Sequence, residues 1–314
     1  MDRLAAMSVL VAVVESGSLS AAARKLRVPL PTVSRRISEL EAHLGTRLLL
    51  RTTRRLALTD SGATYLAGCR RILEQVAEVE RVAAGEFSSP KGELAVTAPI
   101  VFGRLHVLPI VTEFLAKFPD VDVRLALSDR NVDLVSDHVD LAVRIGALPD
   151  SGLTALSLGS VRRMVCGSPA FFAAHGVPKR PEDLAGLPAV VFDAPGAALS
   201  WPFMRPGSEP NQPVAVRARL SVNTAEAAID AAIAGVGVTR VLSYQVAAPL
   251  AAGRLRVVLA DFEDAPLPVQ LVHPGQQPLP LKLRVFLDFA APRLRRRLGE
   301  WARAGQARSV PNRA

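Results

Sequence analysis

The sequence predicts a multidomain chain: an all-α winged helix–turn–helix domain at the N-terminus, a long linker helix, and a C-terminal α/β domain of two lobes. Three observations predict this order. The first 60 residues combine helical apolar periodicity with many basic residues, the next 30 carry a heptad-spaced apolar series, and strand and helix patterns alternate from about residue 91. The 314 residues, 49% of them apolar, suffice for two or three domains. We expect domains at residues 1–60, 61–90 and 91–298, with a flexible tail at 299–314.

The positive charge of the chain is concentrated at its two ends. The net charge is +9, divided as +4 in residues 1–90, −2 in residues 91–281 and +7 in residues 282–314. Nine of the basic residues lie within residues 20–58, against two acidic residues. A basic stripe this dense is typical of a protein that binds the phosphate backbone of nucleic acid. A solvated basic surface explains the charge alone equally well.

The first apolar stretch, Leu4 to Val14, has two interpretations. It follows Arg3 as in a signal peptide, but it also recurs at helical spacing through Leu4, Met7, Leu10, Val11 and Val14. The residues that follow need this helix for their core, so we expect a cytoplasmic protein. The stretch is too short to span a membrane, and two cysteines in 314 residues suit a reducing compartment.

Two further helices are predicted before residue 46. Ser18 is a good N-cap for a short helix that ends at Leu26, and a turn follows. Pro31 suits the first position of the next helix, and Gly45 ends it. The inward positions of this pair are Leu19, Ala22, Ala23 and Leu26, then Val33, Ile37, Leu40 and Leu44. Polar and basic residues on the opposite face of the second helix are typical of a recognition helix in the DNA major groove.

Two short apolar runs around a basic tip, residues 48–51 and 56–58, predict a β-hairpin wing. Arg51, Arg54 and Arg55 would then lie on phosphates or in the adjacent minor groove. The alternative is a basic helical hairpin without a ligand.

A long helix is predicted to follow residue 59. Its apolar positions alternate at spacings of four and three, the coiled-coil pattern, through Tyr65, Cys69, Ile72, Val76, Val79 and Ala83. A dimer seam is one interpretation, and packing of the helix on its own domain is the other. We interpret Cys69 and Cys166 as small buried apolar residues rather than redox sensors.

From residue 91 the sequence predicts two α/β lobes with a cleft between them. Lobe I would contain residues 91–160 and 267–298, and lobe II residues 161–266. The expected elements of lobe I are strands at 93–98, 121–128, 140–145 and 267–273 and helices at 100–118, 131–137 and 281–298. Those of lobe II are strands at 161–166, 189–193, 214–222, 236–240 and 255–259 and a helix at 224–234.

The candidate ligand site lies at the carboxyl ends of these strands, where open α/β sheets bind ligands. Two helix N-termini facing one cleft would favour an anion, so we expect a small effector that carries a carboxylate. Arg144 could pair with such a group or be an exposed strand-end arginine. Trp201 and Phe203 fit an apolar wall, although core packing is the favoured interpretation. The candidate effector residues are Thr97, Ala98, Pro99, Phe102, Ser128, Arg144, Ile145, Gly146, Trp201, Asn223 and Thr224.

The segment GSLSAAARKLRVPLPTVSRRISELEAHLGTRLLLRTTRRLALTDSG, which begins at Gly17, resembles the N-terminal domain of LysR-type transcriptional regulators. APIVFG, SDRNVDLVSDHVDLAVRIG, LPDSGLTA and GSPAFFAAHGVPKRPEDL resemble the periplasmic-binding-protein-like effector domain of one LysR subgroup. The resemblance implies DNA contacts by Pro31, Thr32, Ser34, Arg35, Arg51, Arg54 and Arg55, and Leu30 and Arg36 on the same outward face complete the list of candidate DNA contacts. One departure stands out, because family members usually carry a polar residue where this chain has Leu30, and an N-capping Ser where it has Pro29. Leu30 could instead touch a thymine methyl group.

The resemblance also implies a set of partners. They are double-stranded promoter DNA, a small-molecule effector, and a second copy through antiparallel linker helices, with a tetramer favoured and RNA polymerase as a candidate. The rival functions are an exported solute-binding protein and an α/β enzyme. The first has no use for a basic winged domain, and the second lacks a catalytic constellation, because the five histidines stand alone and no metal-ligand or nucleophile motif occurs. No cofactor is expected.

Overall fold

The computed structural model describes residues 1–51, 56–83, 89–130, 132–148, 152–192, 199–204, 213–275 and 279–306. The chain divides into two compact units. The first contains residues 1–92 and 278–282, and the second contains residues 93–277 and 283–314.

The first unit begins with helix α1, Arg3–Glu15, whose N-terminus is capped by the Asp2 carboxylate. The predicted apolar face of α1 was partly wrong. Its buried positions are Ala6, Val9, Leu10, Ala12 and Val13, whereas Leu4 is exposed and Met7, Val11 and Val14 are only partly buried. Because α1 contacts α2, α3 and α4 and is apolar on several sides, periodicity alone could not select the buried face.

Helices α2, Leu19–Leu26, and α3, Leu30–Leu44, form the helix–turn–helix. Ser18 caps α2 as predicted, and Arg27 ends it in the left-handed region. Val33, Ile37 and Leu40 are fully buried, and Gly45 ends α3 at a φ of +65°, so the predicted inward stripe is confirmed. Helix α3 starts one residue earlier than expected, which puts Pro31 at its second position. Proline is tolerated there, because the first-turn N–H groups have no partner within the helix.

The wing contains β1, Leu49–Arg51, paired antiparallel with β2, Leu56–Leu58. The Glu41 carboxylate accepts hydrogen bonds from the backbone N–H groups of Leu48 and Leu49 at 2.8 and 3.1 Å, and this ties the wing to α3. The wing is therefore confirmed as a hairpin. Its predicted basic tip, which includes Arg54 and Arg55, lies outside the described residues.

Helix α4, Asp60–Ala83, is the predicted linker helix. Its heptad-spaced residues have two different environments. Cys69 is buried and Tyr65 partly buried in the core of the first unit, because the start of α4 packs against α1. Ile72 and Val79 are exposed. A heptad pattern indicates an apolar stripe but not what covers it, so the single-seam interpretation was wrong for the first two positions. The side chain of Ala83 lies outside the described residues.

Lobe I of the second unit is built on a five-stranded sheet with the order β4-β3-β5-β14-β6. Its strands are β3 Gly92–Ala98, β4 Val121–Leu127, β5 Leu141–Ile145, β6 Leu153–Val161 and β14 Leu267–Pro274. The strand directions in this sheet are mixed. Strand β3 runs parallel to β5, but β14 is antiparallel to both β5 and β6. Strand β6 was not predicted.

The helices of lobe I differ from the prediction in detail. The helix expected at 100–118 consists of α5 Ile100–Phe102, a π-helical turn Gly103–Val107 and α6 Leu108–Lys117. The helix expected at 131–137 is absent from residues 132–137. The Asp133 carboxylate accepts hydrogen bonds from the N–H groups of Val135 and Ser136, and such bonds favour turns over helix. Helix α10, Leu281–Gln306, continues eight residues past its predicted end.

Lobe II has a five-stranded sheet with the order β11-β8-β12-β7-β13. Its strands are β7 Arg163–Gly167, β8 Pro188–Phe192, β11 Arg217–Val222, β12 Val238–Leu242 and β13 Arg256–Val258, with a separate pair of β9 Ser200–Trp201 and β10 Val214–Ala215. The helices are α7 Pro169–His175, α8 Ala225–Ile233 and α9 Ala247–Ala251, of which only α8 was predicted. The strand predicted at 214–222 is divided into β10 and β11 at Val216.

The chain crosses between the lobes at Arg162, and again between β13 and β14. Ion pairs join the two crossovers: Arg162 lies 3.3 Å from Glu263, and Arg163 lies 3.8 Å from Asp264. Arg240 of β12 also pairs with Asp264. Burial raises the pKa of the Glu263 carboxyl, and Arg162 opposes that shift. Partly buried ion pairs therefore hold the two connections between the lobes together.

Candidate DNA-reading face and effector cleft

The predicted DNA contacts on α3 lie in its N-terminal half. Leu30 and Pro31 are exposed in the first turn, Thr32 and Ser34 are partly buried, and Arg35 points into solvent with 72% of its side chain exposed. The buried stripe on the opposite side fixes the rotation of the helix. Glu39 Oε1 lies 3.8 Å from Arg35 Nε. Both side chains are exposed, so this ion pair holds Arg35 only weakly.

The basic surface around α3 has further members. Arg36 is partly buried on the same helix, and Arg27, which the sequence analysis left out of its contact list, is exposed in the turn that leads to α3. Arg27 ends helix α2 with a positive φ. Nothing in the local sequence pattern indicated that Arg27 would lie beside the start of α3. The side chains of Arg51, Arg54 and Arg55 lie outside the described residues.

At the strand ends of lobe I, the candidate effector residues are already engaged within the chain. The Thr97 hydroxyl is buried and donates to the Ala126 carbonyl at 3.0 Å. Ser128 donates its N–H to the Ala98 carbonyl, and its hydroxyl oxygen accepts from the N–H of Arg130. The strand ends therefore come together as predicted, but their polar groups mainly shape the loop after β4.

The N-terminus of the helix that starts at Ile100, next to Pro99, carries its own anion. The Ile100 N–H donates to the Asp129 carboxylate at 3.0 Å. Asp129 was missed because its partner lies 29 residues earlier in the chain. An external anion at this helix would have to replace a carboxylate of the protein.

The second helix N-terminus, that of α8, lies in lobe II and is capped by a neutral hydroxyl rather than by a carboxylate. The Thr224 hydroxyl oxygen accepts from the N–H of Ala227 at 3.2 Å, which caps α8, and Asn223 is exposed beside it. Glu226 in the first turn of α8 pairs with Arg104 of lobe I, with 3.4 Å between Arg104 Nη2 and Glu226 Oε1. This ion pair joins the two lobes at the cleft, and both of its side chains are accessible to solvent.

A buried aromatic cluster also joins the lobes. Phe102 lies edge-on to His106 and to Tyr244, with ring centroids 5.0 and 5.3 Å apart. Burial raises the pKa of the Tyr244 hydroxyl, and the carboxylates of Asp129 and Glu226 raise it further. Burial and the charge of Arg297 lower the pKa of His106 to about 3. Phe102 is completely buried, so the prediction that it lines a ligand wall was wrong for this arrangement of the lobes.

The remaining predicted effector residues have structural contacts. Arg144 donates to the carbonyls of Val132 and Arg130, and burial lowers the pKa of its guanidinium. After Ile145, the N–H of Gly146 donates to the Pro268 carbonyl at the start of β14. Trp201 is buried in the lobe II core together with Phe203, as the favoured interpretation held. Sequence periodicity shows neither the loop carbonyls that hold Arg144 nor the core that covers Trp201.

Within the described ranges, no group of three or more His, Cys, Asp or Glu residues could hold a metal ion. In the same part of the chain, no helix is both long enough and apolar enough to cross a membrane.

A winged helix–turn–helix with an exposed basic helix, combined with a two-lobed α/β domain whose polar residues gather at strand ends, defines a ligand-responsive DNA-binding regulator. Comparison with known families gives the same answer. Residues 4–63 match the bacterial regulatory helix-turn-helix proteins of the lysR family, and residues 88–295 match the LysR substrate binding domain. The chain belongs to the LysR family of bacterial transcription regulators; the family binds DNA and effectors and is not a family of enzymes.

Individual relatives agree over nearly the whole chain. An HTH-type transcriptional repressor of Pseudomonas aeruginosa is 34% identical over 92% of this chain and 91% of its own length. The solved structure of CrgA from Neisseria meningitidis is 33% identical, covers 92% of this chain and 98% of its own, and has a TM-score of 0.58. The Vibrio cholerae virulence activator AphB is 27% identical, with coverages of 91% and 98% and a TM-score of 0.57.

Proposed function

We propose that this regulator binds promoter DNA by inserting α3 into the major groove, while the wing contacts phosphates. The observation that carries this proposal is the orientation of α3: its apolar stripe is buried, so Arg35 and the first turn face outward. Positive charge attracts the phosphates, and side chains near the helix N-terminus reach base edges. The residues assigned to DNA are Leu30, Pro31, Thr32, Ser34, Arg35, Arg36, Arg51, Arg54 and Arg55.

The protein would act in the cytoplasm as an oligomer. Ile72 and Val79 on α4 remain exposed, together with partly buried Val76, and they supply an apolar strip for the α4 of a second copy. A dimer places two α3 helices on a site with two-fold symmetry. We also propose that two dimers associate to a tetramer and that the protein contacts RNA polymerase.

The effector would bind in the cleft at the strand ends. Because Asp129 occupies the N-terminus of the helix that starts at Ile100, a carboxylate of the effector has Arg104 and the start of α8 as its binding groups. Such a ligand would displace Glu226 from Arg104. Binding that favours one arrangement of the lobes would then shift the population of DNA-binding states.

Gel-shift titration of the full chain with the DNA upstream of its own gene tests the proposed DNA binding. We expect affinity to fall steeply as salt rises, because each phosphate contact releases counterions. Failure to bind any such fragment at low salt would contradict the proposal. For the cleft, thermal-shift measurements with small organic acids and their neutral amides should show stabilisation by an acid. Stabilisation by amides alone would contradict the carboxylate assignment.

A further inference from the structure

The tip of the recognition helix is apolar and exposed. Pro29, Leu30 and Pro31 all face solvent, and 43% of Leu30 is accessible. Leu30 does not belong to the apolar core of the first unit, nor to the partly buried residues that pack against it. A large apolar side chain therefore stands in water at the end of α3 where a recognition helix meets base edges.

The backbone holds this tip in one conformation. Pro29 precedes α3 with a φ of −61°, and its carbonyl accepts from the N–H groups of Thr32 and Val33 at 3.0 and 3.4 Å. The proline rings fix φ on both sides of Leu30, and the buried Val33 anchors the first turn. The side chain of Leu30 is thus presented with little backbone freedom to lose on binding.

The major groove of DNA offers one apolar group to such a side chain, the 5-methyl group of thymine. Leu30 has no hydrogen-bonding group for the polar edges of the other bases. Arg27 and Arg35 are exposed on the two sides of the tip along the chain, and their charges would draw it against the phosphate-lined groove.

We propose that Leu30, supported by Pro29 and Pro31, is a specificity-determining residue that reads thymine through its methyl group. This inference rests on the proposed DNA binding. Beyond general DNA affinity, binding would then depend on a single methyl group in each half-site.

Deoxyuridine differs from thymidine only by the absence of this methyl group, so it provides a direct probe. Two versions of the upstream fragment, one with thymidine and one with deoxyuridine, would be titrated with the native full-length protein. We expect deoxyuridine to weaken binding about fourfold for each methyl group that Leu30 contacts. Replacing one thymidine at a time by deoxyuridine within the bound DNA should then locate one sensitive thymine in each half-site. Equal affinity for the two duplexes would overturn the inference.

Two variants separate Leu30 from other effects of the methyl group on DNA. Leu30→Ala should bind both duplexes alike. Leu4→Ala, which shortens a leucine of 42% exposure on α1 of the same unit, should discriminate as the native protein does. Equal discrimination by all three proteins would assign the effect to DNA shape and overturn the role of Leu30. A native protein that binds neither duplex would instead refute the proposed function, so the two failures are distinguishable.

Discussion

Helix α3 of the first unit leaves its outward side chains in solvent, whereas the strand ends of the second unit hold theirs in contacts within the chain. Arg35 and Leu30 face water, while Thr97, Arg144 and Asp129 each bind backbone atoms of their own domain. The difference suits two kinds of recognition. In the proposed function, the DNA-binding surface of α3 is already exposed before DNA binds, whereas an effector in the cleft would have to replace existing contacts.

The largest expected effect concerns the buried histidine that helps to join the lobes. His106 is neutral in the fold, with a pKa of about 3 against 6.5 for the free side chain. As the pH falls, His106 of the unfolded chain binds a proton at a higher pH than His106 of the folded chain. The free energy of unfolding is therefore unaffected by this group above pH 6.5 and decreases as the pH falls toward 3. The loss is on the order of 5 kcal/mol once titration is complete.

Thermal unfolding of the full chain between pH 7 and pH 3 would measure this effect. We expect His106→Gln to have a flatter stability profile than the native protein, because glutamine has no proton to gain in this pH range. If His106→Gln loses stability with acid as steeply as the native protein, the assignment of a buried neutral histidine is wrong.

Phe102, buried between the lobes, and Leu30, exposed at the start of α3, should differ in their contributions to stability. Phe102→Ala removes a fully buried ring and should lower the free energy of unfolding of the second unit by about 3–5 kcal/mol. Leu30→Ala should change that of the first unit by less than about 0.5 kcal/mol, because the site is a surface one. Denaturant titration measures both. Comparable losses would show that Leu30 is a core residue and not a reading tip.

Among the contacts between the lobes, the ion pair across the cleft is expected to contribute least to stability. Glu226→Gln removes a solvent-accessible pair and should cost less than about 1 kcal/mol. It also frees Arg104, so acids that bind the native cleft should stabilise this variant more strongly. Glu113→Gln, which removes a solvent-accessible ion pair with Arg293 in lobe I at 3.3 Å, is the control. Unchanged ligand stabilisation in Glu226→Gln would exclude Arg104 as the carboxylate-binding group.

Helix α3 was easier to predict from the sequence than the cleft, because its pattern is local. The stripe of Val33, Ile37 and Leu40 and the stop at Gly45 depend on residues within one helix, so their spacing is enough to predict them. The Asp129–Ile100 hydrogen bond and the Arg144 contacts join loops that are separated in sequence, and no local pattern shows them. Periodicity also could not tell that Cys69 is covered by its own domain while Val79 is exposed.

The central claim, that α3 reads DNA through its exposed face, is tested most directly by one pair of variants. Arg35 and Arg180 have side chains that are 72% and 73% exposed, and each pairs with one carboxylate: Arg35 with Glu39 at 3.8 Å, and Arg180 with Asp183 at 3.7 Å. Replacing either by alanine removes one positive charge. In gel-shift titrations on the upstream DNA, Arg35→Ala should lose about 1–3 kcal/mol of specific affinity, whereas Arg180→Ala should match the native protein. Equal affinities for the two variants would contradict the claim.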